Sequence, residues 1–99
     1  MEPVPFKELD FEDKAVFDEH LREDPPLISE LTFTNLFIWR HKYLPVWQMR
    51  EGCLLIVLRP EGENPFAFFP VGPGDKVKAL DILWGELERQ FGDARIYPY

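Results

Sequence analysis

Apolar residues recur with helical spacing in three segments of the chain, and β-favouring runs separate the second segment from the third. The first segment predicts a helix at about 11–22, with Phe17 and Leu21 on its inner face, after a short strand at 6–9. Asp10 is expected to cap this helix, with Asp13 as the acid of a capping box. The second segment predicts a helix at about 33–41.

A β-hairpin is predicted next, with strands at 46–50 and 53–59 around a Glu51-Gly52 turn. The second strand has apolar residues at both parities, which is typical of a strand buried on both faces. The Phe-rich segment 66–69 predicts another strand, and residues 94–99 begin as a further one.

The longest helix is predicted after Gly72-Pro73-Gly74, with Asp75 as its N-cap and Gly92 at its C-terminal end. Its apolar residues are expected to form one stripe that faces the sheet. The predicted stripe comprises Val77, Leu80, Leu83, Trp84, Leu87 and Phe91.

Together these elements predict an α+β fold with a mainly antiparallel sheet and helices. Ninety-nine residues allow one domain, spanning 1–99. The chain stops on aromatic, strand-like residues, so we expect it to be the truncated N-terminal unit of a larger two-unit protein. An unpaired strand there would favour a homodimer of the isolated chain, with residues 94–99 or nearby aromatics at the contact.

Charge and composition limit the partners and the compartment. The net charge of −7 repels phosphate backbones, so nucleic-acid binding by this segment alone is not expected. The longest aliphatic run is too short to cross a bilayer, so no membrane insertion is expected. A single cysteine, Cys53, and an N-terminus without an apolar signal core favour a cytoplasmic location.

Few residues qualify as functional. Trp39, Arg40 and Tyr43 are the candidate ligand or interdomain surface, and the alternative is that Arg40 stacks on an aromatic ring at the edge of the core. No catalytic residue can be nominated, and the spacing of histidines and acids predicts no metal site. Gly72-Pro73-Gly74, called the glycine loop below, is followed by Asp75 at the position where a phosphate-binding loop has lysine. We therefore expect a tight turn and no bound cofactor.

Two segments carry a resemblance to a known family. They read FKELDFEDK at 6–14, with Phe17 following, and SELTFTNLFIWR at 29–40. Both resemble the start of a bacterial family related to the C-terminal domain of phosphatidylglycerol lysyltransferase. The hairpin, the Phe-rich strand and the Gly-x-Gly entry to the long helix follow in that family's order, so the resemblance covers essentially the whole chain.

The resemblance implies the first half of a GNAT-like (acyl-CoA N-acyltransferase-like) fold, with a second GNAT-like unit as partner. It implies an acyl- or aminoacyltransferase whose N-terminal unit is inactive alone. Ordinary acetyltransferases have Arg or Gln three residues before the first glycine of the pyrophosphate loop, and Phe69 stands there in this chain. The alternative function is a stand-alone protein-interaction module without enzymatic activity.

Overall fold

The computed structural model describes residues 6–25, 31–92 and 95–97. Within these ranges the chain forms five strands, four α-helices, a 3₁₀ turn at Phe11–Asp13 and a π-helical turn at Leu87–Phe91. The strands are β1 (Lys7–Glu8), β2 (Val46–Arg50), β3 (Cys53–Leu58), β4 (Phe66–Phe68) and β5 (Arg95–Tyr97), and the helices are α1 (Lys14–Glu23), α2 (Phe33–Ile38), α3 (Arg40–Tyr43) and α4 (Lys76–Glu86).

The strands form one mixed sheet in the order β1-β2-β3-β4-β5. The first three pairings are antiparallel, and β4 and β5 are parallel. Helix α4 is the crossover that a parallel pair requires. The predicted α+β class is therefore confirmed, and so is the mainly antiparallel sheet. Of the predicted last strand, residues 95–97 are described and the rest lies outside the described residues.

The β2–β3 hairpin forms where the sequence predicts it. Glu51 and Gly52 both have positive φ, 53° and 76°, as a two-residue type I′ turn requires. All six residues of β3 are buried, which confirms a strand covered on both faces. Its even-numbered residues pack under α1 and α2, and its odd-numbered residues pack under α4.

The start of the chain is tied to the sheet through the carboxylate of Asp13. Its Oδ2 accepts hydrogen bonds from Lys7 Nζ at 2.9 Å, the Asp10 amide at 2.8 Å and Trp47 Nε1 at 3.0 Å. Lys7 lies on β1 and Trp47 on β2, so one carboxylate joins two strands to the beginning of the first helix. Asp13 thus acts as the predicted acid of the capping box, because it accepts a hydrogen bond from the backbone amide of Asp10.

The predicted second helix is two helices, with a break at Trp39. Trp39 has φ −96° and ψ 15°, outside helical values, and its amide donates to Asn35 O at 3.1 Å. The following turn, α3, ends at Leu44, whose φ is 46°. The break turns the chain from α2 toward β2. The spacing of apolar residues cannot predict this change of direction.

The predicted stripe of α4 is partly wrong. Leu83 and Leu87 are buried against the sheet, together with Ala79, but Val77 is 81% exposed and Trp84 is 54% exposed. At about 100° per residue, Val77 and Trp84 lie about 100–120° around the helix from Leu83. The sheet is covered by the face centred on Ala79 and Leu83, and the other apolar residues remain on an outer flank.

Candidate functional site

The candidate residues Trp39, Arg40 and Tyr43 all lie at the corner where α2 meets α3. Trp39 is 54% exposed, and Arg40 and Tyr43 are half-buried. Arg40 Nη1 donates to Phe37 O at 2.6 Å, and its guanidinium carbon lies 3.9 Å from the centre of the Phe37 ring. Arg40 therefore stacks on an aromatic side chain, as one of the two interpretations of this residue expects.

Trp39 and Tyr43 line a groove of about 360 Å³, called the aromatic groove below. Its other walls come from α2, β3 and β4, namely Asn35, Leu36, Leu58, Phe66 and Phe68. Lys42 stands beside it, with Nζ 5.8 Å from the Trp39 ring centre and 5.5 Å from the Tyr43 ring centre. These distances are within cation–π range, so the groove offers aromatic faces and one positive charge.

Arg40 instead lines a second groove of about 330 Å³ on the other side of α3, called the basic groove below. His41 and Arg59 also line it, and Glu8 supplies one negative charge. Arg59 is held in place because its Nε donates to Leu44 O at 3.2 Å. The structure thus brings two of the three candidate residues into one groove and places the third in the adjacent one.

The two grooves lie in the part of the chain where positive charge is concentrated. Residues 31–60 contain four Lys or Arg (Arg40, Lys42, Arg50 and Arg59) and one acid, Glu51. The segment therefore carries +3, within a chain of net charge −7. Sequence reasoning missed Lys42 and Arg59, and this uneven charge distribution is the signal that points to them.

Two backbone amides at the glycine loop already donate hydrogen bonds within the protein. The Gly72 amide donates to Asp24 Oδ2 at 3.0 Å, and the Asp75 amide donates to Glu51 O at 3.1 Å. Lys76 pairs with the same Asp24 carboxylate. Burial acts to raise the pKa of Asp24, but the hydrogen bonds from Lys76 and Gly72 outweigh it, and the pKa lies below its ordinary value. The Asp24 carboxylate therefore binds the Gly72 amide that an anionic ligand would need.

The remaining reactive side chains have structural surroundings. Cys53 is fully buried, and burial raises the pKa of its thiol, which suppresses reactivity. His20 is half-buried and its Nδ1 donates to Val16 O at 2.8 Å. No group of three or more His, Cys, Asp or Glu able to hold a metal occurs within residues 6–25, 31–92 and 95–97.

Two buried polar side chains lie away from both grooves. Glu86, on α4, is 2% exposed and accepts hydrogen bonds from Arg89 and Gln90, so its charge is balanced within the helix. Gln48, on β2, accepts a hydrogen bond from Arg50 at 3.1 Å, while its Nε2 has no partner among the described residues. Neither side chain is among the residues that line the aromatic groove or the basic groove.

No protein-family model matches the chain, and no curated protein matches it. Among solved structures it is similar to a conserved protein of unknown function from Bacteroides thetaiotaomicron VPI-5482, with a TM-score of 0.81 and 23% sequence identity. The match covers 93% of this chain and 31% of that one, so this chain spans about a third of the neighbour's length. At this identity the similarity establishes a shared fold. No helix among the described residues is long and apolar enough to cross a membrane.

Proposed function

We propose that this chain is the N-terminal, non-catalytic unit of a GNAT-like acyl- or aminoacyltransferase related to phosphatidylglycerol lysyltransferase. Its role is to form one wall of a substrate channel whose other wall belongs to a second GNAT-like unit. The observation that carries the proposal is the order of elements. The antiparallel hairpin, the Phe-rich β4, the glycine loop and α4 follow one another in the order that the resemblance implies.

The glycine loop supports a non-catalytic role. A pyrophosphate would need free amide donors there, but the Gly72 amide already binds the Asp24 carboxylate. Asp75 caps α4 by accepting from the Lys78 amide at 3.1 Å, so a second carboxylate stands at the helix entrance. Phe69 supplies no polar group before the loop.

The channel wall is assigned to the aromatic and basic grooves around α3. Lys42 and Arg40 supply positive charge there, and Trp39 and Tyr43 supply exposed ring surface. Such a surface suits an acceptor or donor that carries an anionic group beside an apolar or aromatic one. The longer solved neighbour is in keeping with a unit of this size inside a larger chain.

The test compares the isolated chain with the gene product read through the codons that follow Tyr99. We expect these codons to encode a second α/β unit. The longer product should transfer a radiolabelled acyl or aminoacyl group from acyl-CoA or aminoacyl-tRNA to an amine or lipid acceptor, and the isolated chain should form no product. Saturable, CoA-dependent product from the isolated chain would overturn the proposal.

A variant pair tests the role of the grooves. Trp39→Ala in the longer product should lower kcat/KM about tenfold or more without changing the melting temperature, because the side chain is exposed. Trp84→Ala is the matched control, since Trp84 is equally exposed but lies on α4. Equal kcat/KM values for the two variants would mean that the grooves do not contact the substrate.

The alternative, a protein-interaction module, is favoured by one observation. Val77 and Trp84 expose large apolar side chains on the outer flank of α4, which covers the face of the sheet opposite α2. Exposed apolar clusters of this kind mark interaction surfaces. A stop codon directly after Tyr99 together with a partner-binding phenotype would favour this alternative.

A further inference from the structure

The outer flank of α4 and the neighbouring edge of the sheet form an apolar groove of about 670 Å³. We call this surface the α4 face. Its apolar residues are Phe69, Val77, Leu80, Trp84 and Ile96. Ile96 lies on β5, which stands at the edge of the sheet, so the face continues from the helix to that edge.

The spacing on α4 suits a second helix. Val77, Leu80 and Trp84 are separated by three and four residues, so they lie in one row along the helix. Such a row is the seam that pairs of α-helices bury when they pack side by side. Val77 at 81% exposure and Trp84 at 54% have no cover within the described residues.

The charges beside the row are opposite in sign. Lys78 and Asp81 both line the groove, and neither charged group is in an ion pair among the described residues. The face therefore carries one positive and one negative charge, although the whole chain carries −7. Two copies of an acidic chain repel each other least where each presents a neutral surface.

We propose that the α4 face binds a second copy of this chain through a two-fold contact. With the axis beside Leu80 and the two α4 helices antiparallel, Val77 packs on the partner's Trp84 and Trp84 packs on the partner's Val77. The same symmetry brings Lys78 beside the partner's Asp81, and this pair also occurs twice. Under this symmetry the apolar row meets apolar side chains and each charge meets an opposite charge, which is why a second copy is the occupant. The inference is independent of the proposed function.

Sedimentation velocity of the 99-residue chain between about 1 and 100 μM tests the contact. We expect a dimer that is at least half formed below about 100 μM, the level that contacts worth roughly −5.5 kcal/mol reach. Trp84→Glu should raise the dissociation constant at least tenfold, and Trp39→Glu, at the same 54% exposure, should leave it unchanged. If Trp84→Glu fails to give the native circular dichroism spectrum, Val77→Glu replaces it. A wild-type monomer at 100 μM overturns the proposal.

A charge-swap experiment tests the two-fold geometry. Lys78→Glu alone places two acids together at each pair, and Asp81→Lys alone places two cations together, so each variant should dimerise at least threefold more weakly than the wild type. An equimolar mixture of the two variants should form a heterodimer as tightly as the wild type, because both of its pairs are then opposite in charge. A mixture no tighter than its components overturns the two-fold contact.

Discussion

At the scale of single residues, Asp13 contributes more to this fold than its position near the chain start suggests. Its side chain is 9% exposed and its carboxylate accepts hydrogen bonds from Lys7, the Asp10 amide and Trp47. Burial acts to raise the pKa of Asp13, but these hydrogen bonds and the Lys7 charge outweigh it, so the pKa lies below its ordinary value. The ionised form is therefore the one that stabilises the native state.

We expect Asp13→Asn to lower the free energy of unfolding by about 1.5–3 kcal/mol at pH 7, the range for hydrogen bonds to a charged group. Asp18→Asn is the control, since it breaks only the exposed Lys14–Asp18 pair, and it should cost less than about 0.5 kcal/mol. Urea denaturation at both pH 7 and low pH measures the effect. Because the native pKa of Asp13 is depressed, its contribution is complete above the unfolded pKa of about 3.9 and disappears as the pH falls through the native pKa.

The depressed pKa values of Asp13 and Asp24 together determine how the free energy of unfolding depends on pH. Asp24 also has a depressed pKa, so the wild-type free energy of unfolding should fall as the pH drops below about 4. The Asp13→Asn variant should show a shallower fall, because one of the two linked protons is gone. A variant curve parallel to that of the wild type would mean that Asp13 does not contribute through its charge.

At the scale of elements, turns and helix caps can be predicted from the sequence, whereas the face of a helix that packs against the sheet cannot. The Glu51-Gly52 turn and the Asp75 cap depend on neighbouring residues alone, and both form as predicted. The outer flank of α4 was misassigned because its apolar residues cover a wide arc, and only the sheet selects which part is buried. At the site, Trp39 and Tyr43 are four residues apart and could be paired from the sequence, whereas Phe66 and Phe68 reach the same groove only through the sheet.

Alanine substitutions on α4 separate its two faces. Leu83→Ala should lower the free energy of unfolding by about 2–5 kcal/mol, because Leu83 is fully buried. Trp84→Ala removes a larger side chain but should cost less than about 0.5–1 kcal/mol, since Trp84 is 54% exposed. Denaturation at a protein concentration where sedimentation shows only the monomer keeps dimer formation from contributing. A loss for Trp84→Ala as large as that for Leu83→Ala would mean that both side chains are buried, as the predicted stripe requires.

At the scale of the whole molecule, the glycine loop joins three parts of the fold. Asp24 at the end of α1 binds the Gly72 amide, and Glu51 in the hairpin turn binds the Asp75 amide at the start of α4. The helices on the two faces of the sheet are thus connected around one end of the hairpin. This close approach requires a small residue at position 74, because a Cβ there would lie 1.9 Å from Glu51 O and 2.7 Å from Gly52 Cα.

Two glycine-to-alanine substitutions should therefore act in opposite directions. Gly74→Ala places a methyl group against backbone atoms that cannot move aside, so the loop must shift and the Asp75–Glu51 hydrogen bond is expected to break. We expect a loss of about 1–3 kcal/mol in the free energy of unfolding, the usual cost of overpacking. Gly85→Ala lies inside α4, and apart from the helix's own nearby backbone no atom lies within 4 Å of the new Cβ. It should therefore gain about 0.5–1 kcal/mol through helix propensity and a less flexible unfolded chain. Thermal and urea denaturation of both variants make the comparison. If Gly74→Ala is as stable as the wild type while Gly85→Ala gains stability, the loop is not packed against the hairpin and does not couple α4 to the rest of the fold.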